Sequence, residues 1–314
     1  MKTVKYKIKI KGLKSPSGTI SMIAFKELSQ IFIESSEKAL RLFVEGTSTK
    51  KGPIPSWIRS SLEFNVTGIK KGSAIIEIEA PKLGETAKEK IAQLDLYSFV
   101  PEPNDTAVTV WAKSYKDAVK EKYESEIVDR GLLGSMISFR DFLNKYADCI
   151  HLDSQIDKEI SNINVDLNNL RKVEKLTIAT PEPKVLIVSG IVNVIEHISN
   201  RFTINLDNKE KIQGEIDRNY IDLEKMRNLW GKRVTMRGTA EFRPNGKIRF
   251  LRADFIKEYE ENEILFIDYL IQQNPKLFIE EAKKIYSKSS PLKEIWNKWP
   301  GDETIEEILS DLSK

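Results

Sequence analysis

Glu77 and Glu79 stand two residues apart in "AIIEIEAP" and would share one face of a β-strand, the placement that paired carboxylates need for acid–base or metal chemistry. Because they alternate with Ile76 and Ile78, they also fit the wet face of a half-buried strand, and that is the reading adopted. Cys149 and His151 are a second close pair. Placed in a helical stretch, residues i and i+2 point apart, so no nucleophile–base couple is expected. Ser199 follows His197 without the glycine-framed elbow that presents a nucleophile. "GIKKGS" at Gly68 to Ser73 has the composition of a phosphate loop but not its spacing, and lies between two alternating apolar runs where a turn needs glycine. "GLLG" at Gly131 to Gly134 has the spacing of a nucleic-acid clamp loop, yet carries leucines where such loops hold polar residues, and reads as a helix break. No base, nucleophile and ligand set converges, so the sequence argues against an enzyme and gives no metal or cofactor site.

Basic residues are a stronger signal. Between Lys225 and Arg252 there are nine (Lys225, Arg227, Lys232, Arg233, Arg237, Arg243, Lys247, Arg249, Arg252) against one acid, Glu241. In "KRVTMRGTAEF" strand alternation sends Val234, Met236, Ala240 and Phe242 one way and Arg233, Thr235, Arg237, Thr239, Glu241 and Arg243 the other. Arg249 joins Arg233, Arg237 and Arg243 across the next hairpin. With Lys232 and Lys247 they would form a stripe able to track the phosphates of DNA or RNA. Aromatic partners for base stacking are scarce there, since Phe242 points inward.

The C-terminus is the sharpest feature. In "PLKEIWNKWPGDETIEEILSDLSK", Trp296 and Trp299 stand three residues apart before the Pro300–Gly301 break. Asp302 can cap the helix that follows, as can Thr304 with Glu307 in a capping box. Ile305, Ile308, Leu309 and Leu312 then fall at i, i+3, i+4 and i+7, an apolar stripe on a helix too short to stand alone. Its packing partner is either the protein's own core or another molecule.

The stretch "LKEIWNKWPGDETIEEILSDL" resembles the C-terminal ending of bacterial antitoxins paired with PIN-domain ribonuclease toxins. The resemblance implies a partner-binding segment lying across a toxin's acidic active site. Trp296 and Trp299 would be its anchors, Ile305, Ile308, Leu309 and Leu312 its groove-filling stripe, and Lys293 and Lys298 its partners for toxin carboxylates, with Pro300 and Asp302 shaping the turn. Many such antitoxins are short, whereas some 290 residues precede the tail here. The body, with "GLKSPSGTIS" and "LEFNVTGIKKGSAIIEIEAP", is similar to an uncharacterised bacterial family. The rival expectation is a nucleic-acid-binding module with no toxin partner, in defence or RNA handling.

The expected architecture is α+β. Residues 1–83 read as strand, helix and hairpin: Tyr6, Ile8 and Ile10 alternate with lysines, Phe25, Leu28, Ile31, Phe32, Ala39, Leu42 and Phe43 recur at helical spacing, and Leu62, Phe64 and Val66 face Ala74, Ile76 and Ile78 across a turn. Residues 84–180 read as a mainly helical extension, closed by the proline-rich "TPEP" joint at Thr180 to Pro183. Residues 181–257 give five short strands and one helix, a small OB- or SH3-like barrel, and 258–314 a helical C-terminal region. The 314 residues carry 50 basic and 47 acidic side chains, for a net charge of +3, so any electrostatic function must be local. One cysteine and two histidines exclude an internal disulfide and leave little for a zinc site. With no signal-like or 18-residue apolar run, a cytoplasmic, non-membrane protein is expected.

Overall fold

The computed structural model describes residues 2–259, apart from 16–18, 50–51, 71–73, 93–100, 155–159, 161, 197–199 and 222–226. These residues all belong to one unit, Met1–Gln272. The expected helical region 258–314 therefore lies almost wholly outside them, except that Glu258 ends a strand.

Strand β1 (Thr3–Lys11) alternates as expected, with Val4, Tyr6, Ile8 and Ile10 buried. Helix α1 (Met22–Glu45) opens at Ser21, whose hydroxyl accepts the Ala24 amide at 3.2 Å, and ends at Gly46 in the left-handed region. A short helix α2 (Ser56–Ser61) precedes the expected hairpin strand, whose first residues, Leu62 to Phe64, form the turn out of that helix, so β2 (Asn65–Lys70) begins later than the sequence alternation suggests. Strand β3 (Ile75–Pro81) pairs antiparallel with β2 and with β1.

After the short helices α3 (Leu83–Thr86) and α4 (Lys88–Ala92) come α5 (Ala107–Val119), α6 (Arg130–Ile137) and α7 (Phe139–Tyr146). Two strands that the sequence reading lacks follow, β4 (Cys149–Ser154) and β5 (Ile163–Asp166), before α8 (Leu167–Ala179). They complete an antiparallel sheet in the order β2-β3-β1-β4-β5. One core runs from Val4 to Leu176 between sheet and helices. At its centre the buried Trp111 donates its indole N–H to Ser35 at 2.8 Å and has its ring 5.3 Å from Phe32 and 5.2 Å from Tyr115.

The "TPEP" segment, Thr180 to Pro183, links α8 to the next strand. Arg130 grips it, donating to the carbonyls of Thr177 and Thr180 and pairing with Glu182 at 3.1 Å. Strands β6 (Lys184–Glu196), β7 (Arg201–Leu206), β8 (Lys211–Ile216), β9 (Arg233–Phe242) and β10 (Ile248–Glu258) then close a barrel in the order β10-β8-β7-β6-β9. A three-strand meander, a parallel β8–β10 pairing and an antiparallel return through β9 to β6 make the OB-type barrel, which decides between the two barrels expected. Val234, Met236, Ala240 and Phe242 fill its interior, as the alternation predicts. Among the described residues no helix is long and apolar enough to cross a membrane.

Candidate functional site

The stripe expected from Arg233, Arg237, Arg243 and Arg249 is not one surface. Arg249 is turned into the seam between barrel and α/β layer, where its side chain is only 7% exposed. Its guanidinium donates to the Gly46 carbonyl and lies 3.8 Å from the fully buried Asp129. Asp129 also caps α6 through the Leu132 amide at 2.8 Å and accepts from the Ser48 amide and hydroxyl at 2.8 and 2.6 Å. Glu241 joins this seam and accepts from the Thr47 hydroxyl at 3.0 Å. Burial, with the Asp129 charge adding to it, pushes the Glu241 carboxyl up, while burial pulls the Arg249 guanidinium down.

The seam meets the barrel at further points. Arg201 on β7 donates to the Val44 carbonyl at the end of α1, Phe250 on β10 lies against Gly46, and the Asn245 amide in the β9–β10 loop donates to the Tyr123 carbonyl at 3.0 Å. Arg243 leaves the stripe here too, pairing with Glu126 at 2.9 Å. The strands β7 and β8 and the β9–β10 loop are where OB barrels most often hold oligonucleotides. In this chain the start of β7, through Arg201, and the β9–β10 loop, through Asn245, contact the α/β layer.

Arg233 and Arg237 remain outside, on the β6–β9 side. Arg233 pairs with Asp207 at 2.5 Å and lies 4.4 Å from the Tyr259 ring, and Arg237 pairs with Asp254 at 2.8 Å and lies 5.8 Å from the Phe255 ring. Lys232 pairs with Glu258 at 3.1 Å and Lys247 with Glu210 at 2.6 Å. The acids that answer the stripe come from other parts of the chain, which is why a count over residues 225–252 misses them. The aromatic partners that seemed scarce are present as Phe255 and Tyr259, contributed by the neighbouring strand β10 and the residue after it.

The other chemical candidates resolve into structure. Glu77 and Glu79 face lysines of β1, Lys7 at 3.9 Å and Lys5 at 3.4 Å, on the polar face of the sheet. Cys149 and His151 lie on a strand, not a helix, so i and i+2 do share a face. The His151 ring nevertheless bonds to Asn164 at 2.7 Å, and burial, helped by Asp166, pushes the Cys149 thiol up, against nucleophilic use. "GLLG" is neither loop nor break: it lies inside α6 with Leu132 and Leu133 fully buried, and a side chain at Gly131 would meet Thr49 and Ser48. Gly68 to Lys70, expected in the turn, are instead the last paired residues of β2, opposite Glu77 to Ile75; residues 71–73, His197 and Ser199 lie outside the described residues.

An open groove of about 860 Å3 runs along the end of α5 and the loop after it. Lys113, Lys116, Lys120 and Lys122 are matched there by Glu102, Asp117, Glu124 and Glu126, so it offers no net field to an anion. The tail residues Lys293, Trp296, Lys298, Trp299, Pro300, Asp302, Ile305, Ile308, Leu309 and Leu312 lie outside the described residues. Comparison with protein-family models, with curated proteins and with solved structures finds no match to this chain.

Proposed function

We propose that this protein is a non-enzymatic, cytoplasmic antitoxin-like protein whose C-terminal segment, Lys293 to Leu312, binds and neutralises a PIN-domain ribonuclease. The observation that carries the reading is the sequence of the ending itself: two tryptophans three residues apart, a Pro-Gly pair, and Ile305, Ile308, Leu309 and Leu312 at helical spacing behind residues able to cap. Tryptophan is the residue most enriched among interface anchors, and a short helix gains its stability from the groove it fills.

The test is the double substitution Trp296→Ala/Trp299→Ala in the full chain, with ribonuclease binding followed by calorimetry. Loss of about 3 kcal/mol or more of binding, with the thermal transition of the body unchanged, is the expected result for central anchors. Unchanged binding would overturn the reading.

A second reading is favoured by the OB topology: the body binds nucleic acid, with or without a toxin partner. Arg233 and Arg237, exposed and each beside an aromatic ring, support it.

A further inference from the structure

An OB barrel has more outer surface than its usual ligand face. Here the usual region is taken in part by the α/β layer: Arg201, Phe250 and the β9–β10 loop meet Val44, Gly46 and Tyr123. On the other side, formed by β6, β9 and the last part of β10, exposed residues flank a buried centre, where Ser189 and Thr235 are covered and their hydroxyls lie 3.1 Å apart. Strand pairing fixes its layout. Ile191 lies beside Arg233, and Ile187 beside Arg237, which in turn lies beside Phe255.

This side is unusual for a solvated strand face. Ile191 is 47%, Phe255 44% and Trp230 67% exposed, and Val185 and Val194 are exposed as well. Trp230 is fixed at the end of β6 by its indole N–H, which donates to the Asn193 carbonyl at 3.0 Å. Arg233 and Arg237, four residues apart on β9, have their Cα atoms about 13 Å from each other along the strand.

Lys232, Arg233 and Arg237 each stand on this side in an ion pair, with Glu258, Asp207 and Asp254. These pairs are solvent-exposed, so a phosphate can displace the carboxylates at little cost. A protein partner would fit the apolar residues alone. The guanidinium–aromatic pairs add the features that a single strand uses, cations for its backbone and exposed rings for its bases.

We infer that the β6–β9–β10 side of the barrel, and not the β7–β8 side, binds single-stranded nucleic acid, with Arg233 and Arg237 on phosphates and Trp230 and Phe255 stacking on bases. This rests on the reading of the body as a nucleic-acid binder. Stacking is tolerant of sequence, so pyrimidine oligomers of mixed sequence bind alike, and a duplex, whose bases are already stacked, binds more weakly.

The experiment is fluorescence anisotropy of the full chain with labelled 15-nucleotide single strands of DNA and RNA, over a series of salt concentrations. Trp230→Ala/Phe255→Ala is expected to weaken binding tenfold or more. Arg233→Gln/Arg237→Gln is expected to lower the slope of log affinity against log salt by about 1.4, the value for two single-strand phosphate contacts. Lys172→Ala, on exposed α8, leaves both unchanged. Circular dichroism melts of each variant establish that the barrel stays folded. Single-strand binding that survives both double substitutions would overturn this assignment while the nucleic-acid reading stands. Wild-type protein that binds no oligonucleotide at low salt would overturn both. If that protein instead loses ribonuclease binding on Trp230→Ala/Phe255→Ala, the side belongs to a protein partner, and the inference is equally overturned.

Discussion

Asp129 holds together pieces of chain that lie far apart: the Ser48 loop, the start of α6 and Arg249 of the barrel all direct donors or charge at its carboxylate. Removing one member of a buried pair leaves the other without compensation, which costs about 3–5 kcal/mol, and the lost helix cap adds about 1 kcal/mol. Asp129→Ala is therefore expected to lower the urea midpoint sharply, while Asp129→Asn, which keeps an acceptor for the cap, loses less. Glu241 behaves in the opposite sense. Burial raises its carboxyl above the ordinary value, so the folded protein holds a proton that the unfolded chain releases. The stability tied to that proton is present below the ordinary carboxylate range and is lost as pH rises through the folded value. Glu241→Gln keeps an acceptor for Thr47 without the charge beside Asp129. It should raise Tm at about pH 7, and the gain should vanish below about pH 4; equal melting of mutant and parent at neutral pH would contradict this. None of these partners is visible in sequence: Arg249 reads as a surface cation because Asp129 and Gly46 lie more than a hundred residues before it.

Gly46 shows how an element boundary serves the joint. It ends α1 with φ of +74°, and a side chain there would come within 2.3 Å of the Phe250 ring. Gly46→Ala is expected to cost about 2 kcal/mol or more, from left-handed strain and the clash together, a fall of roughly 5 °C in Tm. If the clash is real, Gly46→Ala and Phe250→Ala will be non-additive, and a double-mutant cycle reads that coupling directly. Elements with long periodic patterns were legible in the sequence: β1, α1, α5 and the β9–β10 hairpin stand where alternation and helical spacing place them. Strands β4 and β5 were not. Each is short, at six and four residues, and β4 follows directly on the helical run of α6 and α7, so its alternation is easily absorbed into the preceding period. The start of β2 was misplaced for a related reason, since Leu62 and Phe64 are apolar at period two but pack at the end of α2.

At the scale of the molecule, an α/β layer with its own core meets the barrel through Arg201, Arg249 and the β9–β10 loop, while Trp230, Arg233, Arg237 and Phe255 stay exposed. The proposed toxin-binding segment follows at the end of the chain. The proposed anchors, break and cap of that segment lie within two dozen consecutive residues, whereas the barrel side needs strand pairing to bring Trp230, Arg233 and Arg237 together with Phe255, from two separate stretches. The central claim is that the ending, and not the body, neutralises the ribonuclease. The direct measurement expresses the full chain, or a chain stopped after Ser290, with its neighbouring gene product and assays that product's ribonuclease activity. Inhibition by the full chain and none by the truncated one is the predicted result, while inhibition that survives truncation, or is absent from both, would contradict the claim.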